Sequence, residues 1–151
     1  MFRPAHERRR TTHDARNRTA STMTQQSATG TIVWFDLTVP DAPGIRDFYQ
    51  SVIGWSPEPV AMGDYDDFSM VAPGDGSTVA GVCHARGDNA ELPPHWIAYI
   101  GVDDLDASLE RCVAGGGAVL SKVKGSEEHG RYRVIRDPAG AVLALMQMGK
   151  S

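Results

Sequence analysis

From Ile32 to Val39 the chain alternates: Val33, Phe35, Leu37 and Val39 share one face, Trp34, Asp36 and Thr38 the other. A period of two marks a strand with both faces in use. Asp41 then stands where a helix N-cap belongs, Pro43 fits a first turn, and Ile45, Phe48, Val52 and Ile53 recur at helical spacing until Gly54. The pattern predicts a helix whose apolar stripe lies on a sheet and which ends where Gly permits a left-handed residue. Three shorter strands are expected around Pro59–Met62, Phe68–Ala72 and Thr78–His84, with Pro73-Gly74-Asp75-Gly76 as the turn between the last two.

The same order of signals returns. Trp96 to Val102 reads as a strand, and Asp104 caps a helix with the stripe Leu105, Leu109, Cys112 and Val113, stopped by Gly115-Gly116-Gly117. Strands follow near Ala118–Val123, Arg131–Arg136 and Ala141–Met148, with Asp137-Pro138-Ala139-Gly140 as the last turn. Asp41 and Asp104 are 63 residues apart, as are Gly54 and Gly117. A constant offset across strand, cap, helix and stop marks an internal repeat. Each half has one apolar sheet face that it cannot bury alone, so the two are expected to pair. The expected architecture is α+β: two βαβββ modules, about 30–86 and 95–149, joined by a linker at 87–94 that contains Pro93-Pro94. Their strands form one curled mixed sheet around a central cleft, with the helices on the outer face.

Charge changes the picture at the N-terminus. The net charge of −4 divides unevenly: residues 1–28 hold six Arg against two acidic residues, a net +4, and the rest holds 9 basic and 17 acidic residues, a net −8. Residues 1–29 lack large apolar periodicity, so a disordered extension is expected there. An acidic body argues against a nucleic-acid partner. No apolar run approaches the ~20 residues of a membrane span and no signal-peptide core is visible, so a cytoplasmic location without membrane contact is expected. Cys83 and Cys112 make neither a disulfide framework nor a ligand spacing, and read as buried thiols.

Trp34-Phe35-Asp36-Leu37, Asp47-Phe48-Tyr49 and Gly54-Trp55, with Trp96, Tyr99, Val102-Asp103-Asp104, Gly116-Gly117 and Asp137-Pro138-Ala139-Gly140, resemble the paired modules of the glyoxalase/bleomycin-resistance/dioxygenase group, the vicinal oxygen chelate superfamily. The resemblance covers about residues 30–149 and implies a homodimer. It also implies where relatives place metal ligands: seven residues before each capping Asp, at Trp34 and Ile97, seven residues after the Asp of the last turn, at Ala144, and near Ala80. None of these side chains offers the O or N lone pairs a divalent cation needs, so no metal or other cofactor is expected.

Strand alternation puts Trp34, Asp36 and Thr38, then Thr78, Ala80, Val82 and His84, then His95, Ile97, Tyr99 and Gly101, and finally Val142, Ala144 and Met146 on the concave side. The expected site is an apolar, aromatic-walled cleft for a planar or aromatic small molecule. Asp36 is its candidate proton-transfer group, since burial raises a carboxylate's pKa. Tyr99 and His84 are candidates to stabilise a developing oxyanion. Trp34, Thr38, Ala80, Val82, His95, Ile97, Ala144 and Met146 are the expected ligand contacts. Asp36 satisfied by Arg131, Arg133 or a backbone amide would instead be structural. Metal-independent lyase, isomerase or cyclase chemistry is one reading. Sequestration of a planar drug or metabolite is another, a metal held by Asp36, His84 and His95 in displaced positions a third, and a vestigial cleft a fourth. The cluster Asp64, Asp66 and Asp67 is expected on an exposed hairpin.

Overall fold

The computed structural model describes residues 28–149; the N-terminal extension up to residue 27 lies outside the described residues. The order of elements is β1 (Ile32–Val39), α1 (Ala42–Ile53), β2 (Ser56–Ala61), β3 (Asp66–Val71), β4 (Thr78–His84), a 3-10 turn at Gly87–Asn89, β5 (Ile97–Val102), α2 (Leu105–Ala114), β6 (Ala118–Val119), β7 (Lys124–Ser126), β8 (Gly130–Arg136) and β9 (Val142–Gln147). The expected α+β architecture is present, with two helices and a nine-stranded sheet in the order β2-β3-β4-β1-β5-β9-β8-β6 and β7 alongside β8. The sheet is mixed: β1 runs parallel to β4 and β5 parallel to β9, while β1 and β5, the first strands of the two modules, meet antiparallel at the centre. Ala28 and Thr29 belong with the fold rather than the extension, because Thr29 bridges Gly101 and Gly30 N–H donates to the Gly101 carbonyl at 2.8 Å.

Both caps form as the sequence predicts. The Asp41 carboxylate accepts from Gly44 N–H and the Asp104 carboxylate from Ala107 N–H, each at 3.0 Å. Gly54, at φ 88°, stops α1. In the second module α2 ends two residues earlier, its cap residue Gly115 has φ −86°, and the left-handed residue is the next one, Gly116, at φ 92°, not Gly117.

The inner face of α1 differs from expectation. Ala42, Ile45 and Tyr49 pack on the sheet, against the cluster Leu37, Val39, Phe68, Met70 and Val82. Phe48, Val52 and Ile53 stand outward, 54%, 63% and 46% exposed. Tyr49 also gathers Trp55 and Trp96 into one aromatic group, in which Trp96 Nε1 donates to the Tyr49 hydroxyl at 3.1 Å. Those two tryptophans therefore serve the core. On α2, Leu105 and Leu109 are buried with Ile135 beneath them, while Val113 is exposed.

Candidate functional site

β1 carries the site because it joins the two halves of the sheet. Its inward side chains are Trp34, Asp36 and Thr38, and the pairing fixes their neighbours. Trp34 lies beside Tyr99 of β5, Asp36 between Gly81 of β4 and Ile97 of β5, and Thr38 beside Cys83 of β4. On the far side of β5, Tyr99 lies beside Ala144, Gly101 beside Met146, and on β8 Tyr132 and Val134 face inward opposite Met146 and Ala144.

Asp36 is held from both sides. Trp34 Nε1 donates to Oδ1 at 2.6 Å and the Tyr99 hydroxyl to Oδ2 at 2.7 Å. Neither Arg131 nor Arg133 reaches it: Arg131 lies 3.4 Å from Glu127 and 3.9 Å from Asp106, and Arg133 donates to the Ser121 carbonyl. Burial pushes the Asp36 carboxyl above the ordinary carboxylate range; the Tyr99 and Trp34 hydrogen bonds oppose this and the charge of Asp67 adds to it. Burial, then the neighbouring Asp36 charge, drives the Tyr99 hydroxyl well above its ordinary range, so it remains a donor. Tyr132, whose ring centre is 5.1 Å from that of Tyr99, is raised for the same two reasons in the same order.

The hollow has two chambers that share Trp34, Asp36, Tyr99 and Tyr132. The deeper, about 240 Å³, extends under β4 and β3 to Thr38, Cys83, Asp67 and Ser69, and is closed by Asn89 and Leu92 of the linker. The outer, about 380 Å³, is bounded otherwise by Val33, Met146 and Met148. Asp36 thus sits at the waist between a polar-floored pocket and an apolar one.

Of the sequence-predicted contacts, Trp34, Asp36, Thr38, Ile97 and Tyr99 line the deep chamber and Met146 lines the outer one. Ala144 is on the inward face but fully buried, packed under Tyr99 and Val134 rather than open to a chamber. Three β4 assignments require correction. Ala80 and Val82 are buried and line neither chamber, Val82 packing in the α1-side cluster, while the inward residues are Gly81 and Cys83. Both faces of β4 are covered, one by α1 and one by the hollow, so its apolar residues give no alternation that fixes its face. A bulge between Met70 and Val71 of β3 adds one residue on the β4 side. His84 also does not reach a chamber: its ring lies against Tyr65 and its Nδ1 is 3.1 Å from Asp67 Oδ1. His95 precedes β5, which begins at Ile97, and is exposed.

Asp67, assigned to an exposed hairpin by the sequence reading, is instead inside. Its side chain is 13% exposed and faces the deep chamber. Period-two alternation from Phe68 and Met70, the buried residues of β3, would have pointed Asp67 and Ser69 the other way, into the hollow. Tyr132 was missed for want of a face assignment on β8.

The positions at which relatives hold metal do not fit one here. As the resemblance implies them, they are Trp34, Ile97, Ala144 and a position near Ala80; an indole N–H only donates, and none of Ala80, Gly81 beside it, Ile97 and Ala144 offers a side-chain lone pair. The displaced set fails on geometry, since His84 and His95 do not face Asp36. Among the described residues no three His, Cys, Asp or Glu side chains converge as a metal site.

Paired βαβββ modules curled around a hollow that draws side chains from both define the class of domain. Residues 31–145 match the Glyoxalase/Bleomycin resistance protein/Dioxygenase superfamily, and the chain belongs to it. It is similar to a glyoxylase-type protein, CFP32, of Mycobacterium tuberculosis (35% identity over 126 residues, 80% of this chain and 47% of that protein). It is also similar to the anthracycline biosynthesis protein DnrV of Streptomyces peucetius (33% over 137 residues, 81% and 48%). The chain therefore spans about half the length of the curated relatives it matches. Among solved structures, methylmalonyl-CoA epimerase of Mycobacterium tuberculosis shares the fold, with a TM-score of 0.55 at 15% identity over 83% of this chain and 92% of that one.

Proposed function

We propose that this domain performs acid–base chemistry on a small planar organic molecule, with Asp36 moving the proton. The reaction class is isomerase, lyase or cyclase. The observation that carries this reading is Asp36 itself: a carboxyl group with its pKa raised by burial, at the waist of a two-chambered aromatic hollow. A ligand lying against Trp34 and Tyr132 would meet Asp36 at its edge. Once Asp36 has taken up the proton, the single hydrogen of the Tyr99 hydroxyl would turn from Asp36 to the oxygen on which negative charge builds. The residues support a proton transfer that no bound metal assists, because the relatives' ligand positions lack donors. The name of the Streptomyces relative supports a planar ligand, an anthracycline being a fused-ring molecule.

Asp36→Asn tests this. Planar phenols and quinones that raise the melting temperature would be incubated with the protein in deuterated buffer, and deuterium entering ligand carbon would be followed by NMR. Wild-type protein should catalyse exchange and Asp36→Asn should lose at least about 100-fold of it, with affinity within a few fold. Equal exchange in both would sink the reading. A second reading, sequestration without chemistry, is favoured by the fact that both Asp36 oxygens already have protein donors. It requires tight binding, no exchange, and indifference to Asp36→Asn. A panel in which no compound stabilises the protein would favour a vestigial cleft. Among the described residues no helix is long and apolar enough to cross a membrane; a cytoplasmic location remains part of the proposal.

A further inference from the structure

Asp67, largely covered, is a charged group on the deep chamber that the proposed reaction does not use. It sits at the far end of the deep chamber from Asp36. Asp36, Gly81 and Ser69 form one row across β1, β4 and β3, and Thr38, Cys83 and Asp67 the next. The two carboxylates are therefore two strands and one row apart, roughly 10 Å or more at the backbone. They act at different points of anything that fills the chamber.

Asp67 is aimed by His84. The His84 backbone N–H donates to Asp67 Oδ1 at 2.8 Å and the ring Nδ1 is 3.1 Å from the same oxygen. The His84 ring is itself fixed by edge contact with Tyr65, 5.1 Å between centres. Both contacts use Oδ1. Beyond these two contacts the only further side-chain partner of the carboxylate among the described residues is the Cys83 thiol, which hydrogen-bonds to it. The Cys83 thiol, neutral because burial pushes it up, is its neighbour on β4.

Among the described residues no Lys, Arg or His lines either chamber. Lys124 of β7 is not itself in the lining, but it donates to Asn89, which is, and its charge reaches Cys83 as well as Asp88. A carboxylate, phosphate or sulfonate entering the deep chamber would meet two acidic side chains, with His84 already engaged by Asp67 and Lys124 by Asn89, which costs desolvation and repulsion together. A group that donates meets a carboxylate with acceptor capacity left over beyond His84 and the weak thiol donor.

We infer that Asp67, aimed by His84, is the polar anchor of the ligand: it takes a protonated amine or a hydroxyl, while the apolar body of the same molecule lies past Asp36 in the outer chamber. The cleft then selects cationic or hydroxylated aromatic molecules and rejects anionic ones. Asp67 sets specificity, and His84 is a positioning residue. This rests on the reading of the hollow as a small-molecule site, and it does not depend on whether Asp36 turns the ligand over.

The test uses four probes with one ring system: 2-naphthylmethylammonium, 2-naphthylmethanol, 2-naphthoate and 2-methylnaphthalene, titrated into the full chain with tryptophan fluorescence and calorimetry as readouts. Wild-type protein should bind the ammonium at least about tenfold more tightly than the hydrocarbon, the alcohol between them, and the naphthoate most weakly. Asp67→Asn keeps an acceptor for His84 N–H. It should remove most of the ammonium preference and leave the hydrocarbon within about threefold. Asp67→Glu, with the charge retained, should recover part of that preference, whereas a purely structural role would not respond to charge in this way. Naphthoate binding as tightly as the ammonium, or an unchanged ammonium-to-hydrocarbon ratio in Asp67→Asn, overturns the anchor. If none of the four binds, the small-molecule reading falls with it; if all bind alike, only the anchor falls.

Discussion

A carboxylate at residue 36 demands an empty place at residue 81. A Cβ built on Gly81 would overlap Asp36 Oδ1 and come within 3.6 Å of Trp34 Nε1. Gly81→Ala should therefore drive Asp36 off its two donors at a cost of about 1–3 kcal/mol, read as a fall in chemical-denaturation stability with an altered tryptophan emission. An unchanged midpoint and emission would mean that Asp36 is not packed as described. Asp36 also carries a signed pH effect. Its folded-state pKa is raised above 3.8, so between that value and the raised one the folded state holds more proton than the unfolded. Stability from this group is thus full at low pH and is lost as pH rises through the window. Asp36→Asn should flatten the decline of stability with rising pH above about pH 4, relative to wild type. The sequence shows Asp36 as an odd carboxylate in an apolar strand. It does not show its partners, because alternation gives a side chain's face and not its rotamer: Trp34 and Tyr99 were legible as walls, not as donors.

Single elements were legible in proportion to how differently their two sides are covered. β1 was read correctly from Trp34 onward, where Trp34, Asp36 and Thr38 point inward and Leu37 and Val39 outward; Val33, at the register shift near its start, borders the outer chamber instead. β4 was not, because Thr78–His84 is buried on both sides and its face was read one residue out of step. The difference is measurable. Val82 is fully buried on the α1 side, so Val82→Ala should cost about 2 kcal/mol and leave probe affinity unchanged. A large loss of affinity at normal stability would return Val82 to the cleft. Caps were the most reliable signals, because an Asp followed by an apolar helical period has one local use. Asp41→Ala removes the acceptor for Gly44 N–H and should cost about 1 kcal/mol in thermal or denaturant unfolding.

At the scale of the whole molecule, the 63-residue offset revealed the two modules and so the fold. It places Tyr99 where Asp36 lies in the first module and Ala144 where Gly81 lies. The repeat thus pairs a donor with an acceptor at the centre of the sheet, and the hydrogen bond between them ties module to module. What the repeat left unexplained is α1, which is apolar on two sides. Ala42, Ile45 and Tyr49 turn in, yet Phe48, Val52 and Ile53 remain exposed. A helix that is apolar beyond its buried stripe has more surface to cover than its own domain covers. The relatives carry about as much chain again as this domain, since it spans 47% and 48% of them. A second copy of this chain would supply an equivalent mass, and the resemblance that suggested a homodimer gains a candidate surface. Sedimentation at tens of micromolar should give twice the 16.3 kDa chain mass, and Val52→Glu should shift it to monomer without lowering the melting temperature of the dilute protein. A wild-type protein that sediments as a monomer across that range would remove both the dimer and the role given to this face of α1.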